Sequence, residues 1–374
     1  MSFLSGAAIA ARAFLVVAVA TALQACGSGG GTSAHLPAGP PTSAPDGDLV
    51  VYVAMAQGDR IDAYRLGSDG LLPSTPFDTV SVLNPRHLFV ADGVLYASLF
   101  DRIVSFRIGA DGSLPSTPTS SSLTREDYEP LEIEVRNGLL YVAAAGVGVV
   151  ESYELEENGD LPVSPTGVGS GEFPAEYVSL EFSDNYLYSG TRQSQLIDIF
   201  ILEQDGNVPP EAELQDPLDG ISLPDDIFIR DEILYVTSAS DRGVRAYRIH
   251  DDGFIGGEED SRTQSEDFYS DIMIDGDTLY AAAYSSGRID LYRVKENGML
   301  PEESPIFETA DDPAAYPARM LMNGGILYVA QAGLDRVDAY VLGIDGLPPL
   351  YPSSSTTPAR GDSFPVDLVI HQLD

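Results

Sequence analysis

The sequence predicts an all-β protein, a seven-bladed β-propeller of four-stranded blades, and two observations carry this prediction. One tyrosine of a predicted second strand recurs seven times, 44 to 48 residues apart: Tyr52, Tyr96, Tyr141, Tyr188, Tyr235, Tyr280 and Tyr328. A glycine turn follows each of them: Asp69-Gly70, Asp111-Gly112, Asn158-Gly159, Asp205-Gly206, Asp252-Gly253, Asn297-Gly298 and Asp345-Gly346. A period of roughly 40–50 residues with about four short strands per unit is typical of a propeller blade.

The strands of each unit follow in a fixed order. A third-strand aromatic residue comes between each tyrosine and its turn: Tyr64, Phe106, Tyr153, Phe200, Tyr247, Tyr292 and Tyr340. The strands are apolar on both faces, as expected when each sheet packs between two neighbouring sheets. Leu-Pro pairs such as Leu72-Pro73 and Leu114-Pro115 follow most turns. Because proline cannot donate to a strand ladder, we interpret them as part of the outermost strand.

The first unit lacks an innermost strand, and the C-terminus supplies a matching segment. Residues 364–370 read Phe-Pro-Val-Asp-Leu-Val-Ile, similar to the inner-strand segments at 84–90 and 316–322. The C-terminal strand is therefore predicted to pair with the N-terminal blade and close the ring, which removes an open sheet edge.

The N-terminal region predicts export and a lipid anchor. Residues 1–25 combine Arg12 with a short apolar stretch, typical of a signal peptide, and Leu-Gln-Ala precedes Cys26. This resembles the lipobox of bacterial lipoproteins, which implies cleavage before Cys26 and lipidation of it. Residues 26–47 are rich in Gly, Ser and Pro and predict a flexible tether, and residues 48–374 form the propeller. The expected location is the bacterial cell envelope, with lipid attachment to the outer membrane, on its periplasmic or surface face.

The charge balance excludes one class of partner. The chain has 20 basic and 58 acidic residues and a formal net charge of −38. Such a surface repels nucleic acid and anionic lipid head groups. The expected partners are the membrane, through the lipid anchor only, and an unidentified small polar ligand or envelope protein.

One position of the inner strands is polar in every unit and predicts a ring at the mouth of the central channel. Its members are His87, Glu132, Ser179, Asp226, Asp271, Arg319 and Asp367. The next residue is always apolar. Either these side chains line a water-filled channel and remain solvated, or they bind a small polar ligand. Their carboxylates could also bind calcium or magnesium. No spacing resembles a dedicated calcium loop, so no metal site and no cofactor is assigned.

The repeat and the segment Pro85-Arg86-His87 resemble the lactonase-type seven-bladed propellers, which include bacterial 6-phosphogluconolactonases. The resemblance covers residues 48–374 and implies that Arg86 contacts a substrate carboxylate, with His87 as a candidate base. It also implies a glutamate four residues beyond a strand tyrosine. The residues at that position are Ala56, Phe100, Ala145, Arg192, Ala239, Tyr284 and Ala332, so no blade supplies the glutamate.

Two functions follow as hypotheses, and whether the chain is an enzyme stays open. In the first, the chain is a lipid-anchored binding or scaffolding propeller that takes a ligand at the channel mouth. In the second, it is a divergent lactonase or ester hydrolase that uses His87, Arg86 and a ring carboxylate. The second hypothesis depends on fold analogy, which transfers weakly to chemistry.

Overall fold

The computed structural model describes residues 49–171, 175–192, 196–218, 221–357 and 363–373, except for the side chains of residues 214–217. The predicted signal peptide, Cys26 and the predicted tether lie outside these residues. One 3₁₀ turn, Ala332–Leu334, interrupts an otherwise all-β chain. Within the described part of the chain, no helix has the length and apolarity needed to cross a membrane.

The strands form seven four-stranded antiparallel sheets, which confirms the predicted fold class. The strands of blades 1 to 4, in chain order, are β1 (Leu49–Met55), β2 (Arg60–Arg65) and β3 (Asp78–Ser81); β4 (His87–Ala91), β5 (Val94–Ser98), β6 (Ile103–Arg107) and β7 (Ser120–Ser121); β8 (Pro130–Arg136), β9 (Leu139–Ala144), β10 (Val149–Glu154) and β11 (Gly167–Gly169); and β12 (Tyr177–Ser183), β13 (Tyr186–Thr191), β14 (Leu196–Ile201) and β15 (Leu214–Pro217).

The strands of blades 5 to 7, and the last strand of the chain, are β16 (Pro224–Arg230), β17 (Ile233–Ser238), β18 (Arg245–Arg248) and β19 (Ser261–Arg262); β20 (Tyr269–Asp275), β21 (Thr278–Ala283), β22 (Arg288–Arg293) and β23 (Phe307–Glu308); β24 (Pro317–Asn323), β25 (Ile326–Gln331), β26 (Arg336–Val341) and β27 (Ser354–Ser355); and β28 (Pro365–Gln372).

The C-terminal strand closes the ring as predicted. Strand β28 is the innermost strand of blade 1 and pairs antiparallel with β1, so that Tyr52 lies opposite Val369 and Val53 opposite Leu368. The innermost strands β28, β4, β8, β12, β16, β20 and β24 contact one another in cyclic order around the central axis.

The core lies between the blades, because each sheet is apolar on both faces. In β1, Val50 and Tyr52 pack against Leu95 and Phe106 of blade 2. The alternate residues of the same strand, Val51 and Val53, pack instead against the cluster that contains blade 7. Side chains point to opposite faces with a period of two, so one strand supplies two interfaces.

The Leu-Pro pairs do not lie in the outermost strands, so this detail of the prediction is wrong. The outer strands are only two to four residues long and begin after the proline. Each leucine is instead buried in the groove between two blades, and its N–H donates to the outer strand of the preceding blade. Leu114 N donates to Asp78 Oδ2 at 2.8 Å, and Leu161 N to Ser120 Oγ at 2.7 Å.

A cyclic set of hydrogen bonds explains the two sequence signatures together. Each second-strand tyrosine donates its hydroxyl to the carbonyl of the turn glycine in the next blade, at 2.6 to 3.0 Å. The seven bonds are Tyr52 to Gly112, Tyr96 to Gly159, Tyr141 to Gly206, Tyr188 to Gly253, Tyr235 to Gly298, Tyr280 to Gly346 and Tyr328 to Gly70. Each turn glycine has a φ between 75° and 86°, which favours glycine.

Replacement of Tyr328 by Phe tests the cyclic set of hydrogen bonds at the bond that joins blade 7 to blade 1. The substitution leaves the buried carbonyl of Gly70 without its donor, and we expect it to lower the free energy of unfolding by about 1–3 kcal/mol. Urea denaturation measures the change. Tyr351, whose side chain is 70% exposed, is the matched control, and Tyr351→Phe should change nothing. Equal stability of the two variants would contradict a stabilising role for the tyrosine–glycine hydrogen bonds.

Candidate functional site

The structure brings the seven residues of the predicted polar ring together around the axis, at the start of the innermost strands. All seven are buried, with exposed fractions between 0 and 8%. The interpretation in which these charges remain solvated is therefore wrong. The apolar residue after each of them is also buried, and none of these seven residues is more than 5% exposed.

The ring carboxylates fasten a blade to the next one through the backbone at four of the seven junctions. Four carboxylates accept the N–H of the apolar residue that follows the ring position in the next blade. Asp367 accepts from Leu88 at 2.6 Å, Glu132 from Leu180 at 2.6 Å, Asp226 from Ile272 at 2.9 Å and Asp271 from Met320 at 2.7 Å. The carboxylates of the ring therefore have a structural role whether or not a ligand binds.

The local strand geometry explains why these amides need side-chain acceptors. The innermost strand of each blade has a hydrogen-bonded neighbour on one side only. Alternate N–H groups of that strand therefore point away from the ladder, towards the preceding blade. A buried N–H needs another acceptor, and the side chain of the preceding blade supplies it.

Arg319 is the cation at the centre of one half of the ring. Its guanidinium lies 3.3 Å from Asp271 Oδ1, 3.4 Å from Asp367 Oδ1 and 3.4 Å from His87 Nε2. Burial disfavours its charge, but the two aspartates outweigh burial and raise the pKa of Arg319. Burial raises the pKa of Asp271 to about 7 and that of Asp367 to about 6, although Arg319 opposes both shifts.

His87 lies inside this ion cluster. Its Nε2 is 3.8 Å from both Glu132 Oε1 and Asp367 Oδ2, and its Nδ1 is 3.4 Å from the N–H of Ile133. Burial and the charge of Arg319 hold the pKa of His87 well below its usual value. The imidazole is therefore neutral at physiological pH, and burial and Arg319 both oppose its protonation.

Arg86 lies one residue before the ring and belongs to a different group of side chains. It is 7% exposed, and its electrostatic neighbours are Glu129 and Arg192. Arg192 forms a buried ion pair with Asp225 through Nε and Nη2. Burial and the charge of Arg192 lower the pKa of Arg86, against the attraction of Glu129.

The position that the resemblance reserves for a glutamate lies beside the loops that enter the inner strands. Its backbone N–H donates to the residue before the inner strand, as from Ala145 to Glu129 and from Ala332 to Tyr316, both at 3.1 Å. Four blades have alanine here, whereas blades 2, 4 and 6 have Phe100, Arg192 and Tyr284. The repeat is therefore broken by large side chains in alternate blades.

These side chains and their neighbours define a surface that we call the entry face, formed by Arg86, Phe100, Arg192, Tyr284 and Tyr316. The rings of Tyr284 and Tyr316 stack at 5.1 Å between centroids with an interplanar angle of 29°. Tyr316 is 38% exposed and Phe100 36%. The entry face therefore combines aromatic surface with guanidinium groups, a combination found in sites for small ligands.

Backbone strain recurs at the entry loops. Five residues that precede a proline at the start of an inner strand have φ between 43° and 55°: Asn84, Glu129, Leu223, Tyr316 and Phe364. A residue with a Cβ pays of the order of 1 kcal/mol or more for this conformation, and such strain often accompanies functional loops. Sequence reasoning missed Tyr316 and the stacked pair, although the departures from alanine were a usable signal.

The described residues do not form a ready-made metal centre. Among them, no three His, Cys, Asp or Glu side chains are grouped closely enough to hold a metal ion. The four ring carboxylates that could have supplied such ligands are held by the backbone amides described above.

Comparison with known proteins supports the propeller family at the level of fold. Residues 221–362, which span blades 5 to 7, match the family model of the lactonase, a 7-bladed beta-propeller. No curated protein matches the chain.

Several solved structures have the same fold. The periplasmic gluconolactonase of Pseudomonas aeruginosa is 16% identical with a TM-score of 0.70, and the match covers 88% of this chain and 99% of that one. A Bacteroides uniformis protein assigned as a 6-phosphogluconolactonase is 17% identical with a TM-score of 0.70, over 87% of this chain and 100% of that one. At these identities the likeness shows the propeller fold alone and does not transfer chemistry.

The raised pKa values of Asp271 and Asp367 predict that acid stabilises the fold. Unfolded aspartate titrates near pH 3.9, whereas these groups titrate at about pH 7 and about pH 6 in the folded chain. Their contribution to stability is fully present below the unfolded pKa and is lost as the pH rises through the folded values. We expect the urea midpoint to fall between about pH 4 and about pH 8.

High salt separates this effect from repulsion between surface charges. Salt screens exposed charges and leaves buried groups largely unaffected. The decrease should therefore persist in concentrated NaCl. A urea midpoint that no longer depends on pH at high salt would assign the whole effect to the surface.

Proposed function

We propose that this chain is a binding propeller that takes a small polar ligand with an anionic group at its entry face. One observation carries the proposal: large side chains, Phe100, Arg192 and Tyr284, replace the alanine of the repeat in alternate blades. The fold needs only alanine at this position, since four blades use it. The three departures therefore point to a requirement other than folding.

The charges at the entry face favour an anionic group on the ligand. Two guanidiniums, Arg86 and Arg192, are close enough that each affects the other, and burial already penalises the charge of Arg86. A carboxylate or phosphate near Arg86 would offset that cost and could accept a bidentate pair of hydrogen bonds. The stacked Tyr284 and Tyr316 offer a flat surface for the remainder of the ligand.

Lactone hydrolysis is the second candidate, and it is supported by the neutral His87 beside Arg319. In this reaction His87 would take a proton from water as its oxygen attacks the lactone carbonyl, and the C–O bond of the ring would break. The imidazolium would then return the proton to the alkoxide. The resemblance to gluconolactonases supports this candidate, whereas the missing glutamate favours the binding role.

A panel of aldonolactones and the corresponding aldonates separates the two functions. For a binding propeller, we expect calorimetry to detect an aldonate whose affinity falls at least about tenfold in Arg86→Ala, the loss of one charged hydrogen-bonded contact. Arg230 is the control because it lies at the opposite end of an inner strand, where its guanidinium donates a hydrogen bond to the carbonyl of Gly276. The Arg230→Ala variant should bind the aldonate with unchanged affinity.

Hydrolysis of a lactone that is lost in His87→Gln would identify the chain as an enzyme, provided that the variant melts like the parent. Absence of both binding and turnover across the panel would contradict the entry-face proposal. Equal loss of affinity in Arg230→Ala and Arg86→Ala would do the same, because the two arginines lie at opposite ends of the inner strands.

We further propose that a lipid on Cys26 attaches this propeller to the outer membrane of the bacterial cell envelope. An envelope protein is the alternative to a small polar ligand as its binding partner. The sequence around Cys26 supports this, and the similar Pseudomonas protein is named as periplasmic. After cell fractionation, we expect the parent chain in the membrane fraction, from which detergent extracts it. We expect the Cys26→Ser variant in the soluble fraction. A Cys26→Ser variant that remains in the membrane fraction would contradict lipidation at this residue.

A further inference from the structure

The last residue of the third strand differs in kind between blades, and blade 3 has the only acidic one. In every blade this residue pairs with the residue two positions before the second-strand tyrosine. The seven members are Arg65, Arg107, Glu154, Ile201, Arg248, Arg293 and Val341. Arginine is the commonest residue at this position, and blade 3 reverses its charge. The departure lies at the end of the strands opposite to the entry face.

In blades 1 and 2 the arginine at this position bonds to the glycine turn of the next blade. Arg65 Nη2 donates to the carbonyl of Asp111 at 2.6 Å. Arg107 Nη2 donates to the carbonyl of Asn158 at 2.8 Å and lies 3.6 Å from Asp160 Oδ1. At these two junctions, a guanidinium therefore occupies the groove between the third strand and the next turn.

The turn keeps the same conformation at the junction between blades 3 and 4, where the arginine is replaced. The N–H of Asn207 donates to Asp205 Oδ1 at 3.0 Å, and the N–H of Asp160 donates to Asn158 Oδ1 at the same distance. The turn glycines that follow Asp205 and Asn158 have φ of 86° and 80°. The Asp205 carbonyl is therefore placed like that of Asn158. Glu154 cannot donate to it, because an ionised carboxylate only accepts hydrogen bonds.

A cavity of about 240 Å³ lies where the arginine is missing. Glu154, Asp205, Asn137 and Asn207 are among the residues that line it. Within the part of the chain that the structure describes, the Glu154 carboxylate has no hydrogen-bond or ion-pair partner. The cavity thus presents a carboxylate without a cation, beside a turn of the kind that binds a guanidinium at two other junctions.

We propose that this cavity, between blades 3 and 4, binds a guanidinium group that comes from outside the propeller. Glu154 accepts two parallel N–H groups, which a planar guanidinium offers in a fixed fork. The Asp205 carbonyl accepts a further N–H, as Asn158 does from Arg107. The cavity is larger than a guanidinium and also admits the alkyl chain that carries it. The source is either a free guanidinium compound or an arginine side chain of another polypeptide.

The charge of the chain favours such a ligand and sets the strength of binding. A formal net charge of −38 attracts cations. Glu154 and Asp205 are both exposed, so water competes for the same groups and an ion pair contributes little. We therefore expect weak binding, with a Kd of about 1 mM. The proposal does not depend on the entry face, because the cavity and Arg86 lie at opposite ends of the strands.

Nuclear magnetic resonance of the full, isotopically labelled chain tests the proposal in about 0.15 M NaCl, which screens diffuse attraction between exposed charges. Butylguanidinium is the probe. We expect it to shift the backbone amide resonances of Gly138 and Gly206 at the cavity in a saturable manner. Those of Gly93 and Gly159, at the junction that Arg107 fills, should stay in place. Tetramethylammonium, which has the same charge and no N–H, should leave all four unchanged.

Two charge swaps at equivalent positions make the test specific. Glu154→Arg should fill the cavity with a guanidinium of the chain itself, as Arg107 does in blade 2, and should abolish the shifts at the cavity. Arg107→Glu should open an equivalent cavity between blades 2 and 3, so that butylguanidinium also shifts the glycines of that junction. Glu296→Gln is the matched control, since it removes an exposed carboxylate from the same end of blade 6 and should bind like the parent.

A peptide distinguishes the two sources of the guanidinium. An acetyl-Gly-Arg-Gly-amide peptide that binds more tightly than butylguanidinium indicates an arginine side chain of another polypeptide. Weaker binding of the peptide indicates a free guanidinium compound.

Three results would overturn the proposal. The first is a parent chain in which butylguanidinium causes no saturable shift at the cavity, or in which tetramethylammonium causes an equal one. The second is a Glu154→Arg variant that melts like the parent and retains the shifts. The third is an Arg107→Glu variant that gains none. None of these results bears on aldonate binding by Arg86, which is measured separately.

Discussion

The whole structure depends on one hydrogen bond repeated seven times, from a second-strand tyrosine to the turn glycine of the next blade. The last of these bonds, from Tyr328 to Gly70, joins the seventh blade to the first. A blade alone cannot bury its two apolar faces, so its stability comes from its neighbours. The tyrosine satisfies a carbonyl that the glycine turn exposes, and the aromatic ring fills the groove between the blades.

A second cyclic set of bonds lies near the axis and works in the same direction around the ring. Here a ring carboxylate of one blade accepts an amide of the next, as from Leu180 to Glu132. The tyrosine bonds fix the turns between third and fourth strands, and the carboxylate bonds fix the innermost strands. At these four junctions, between blades 1 and 2, 3 and 4, 5 and 6, and 6 and 7, a blade is therefore held to the next at two radii, which restricts how one blade can rotate against the other.

The sequence predicted what the repeat determines and missed what departs from it. Tyrosine spacing and glycine turns were enough for blade number, strand order and closure by β28. Counting from the tyrosines also located the polar ring, because its register is fixed by the strand period. Its burial and the amide bonds were not predictable, since they depend on how closely the innermost strands of neighbouring blades approach one another around the axis. The Tyr284–Tyr316 stack was missed because it is a contact between two blades. Glu181 was missed because only the structure shows that its side chain is buried.

Blade 4 concentrates the departures from the repeat, and this bears on where function lies. It has Ser179 where the other six blades have an ionisable ring residue, Gly190 opposite it, Glu181 below it and Arg192 at the entry face. Seven blades that serve only to fold have no reason to differ in this way, because the same packing problem has the same solution in each. A blade that buries Glu181 without a hydrogen-bond partner among the described residues bears a cost that the fold alone does not require. The binding of an anionic ligand at the entry face, to which blade 4 contributes Arg192, would give these departures a function.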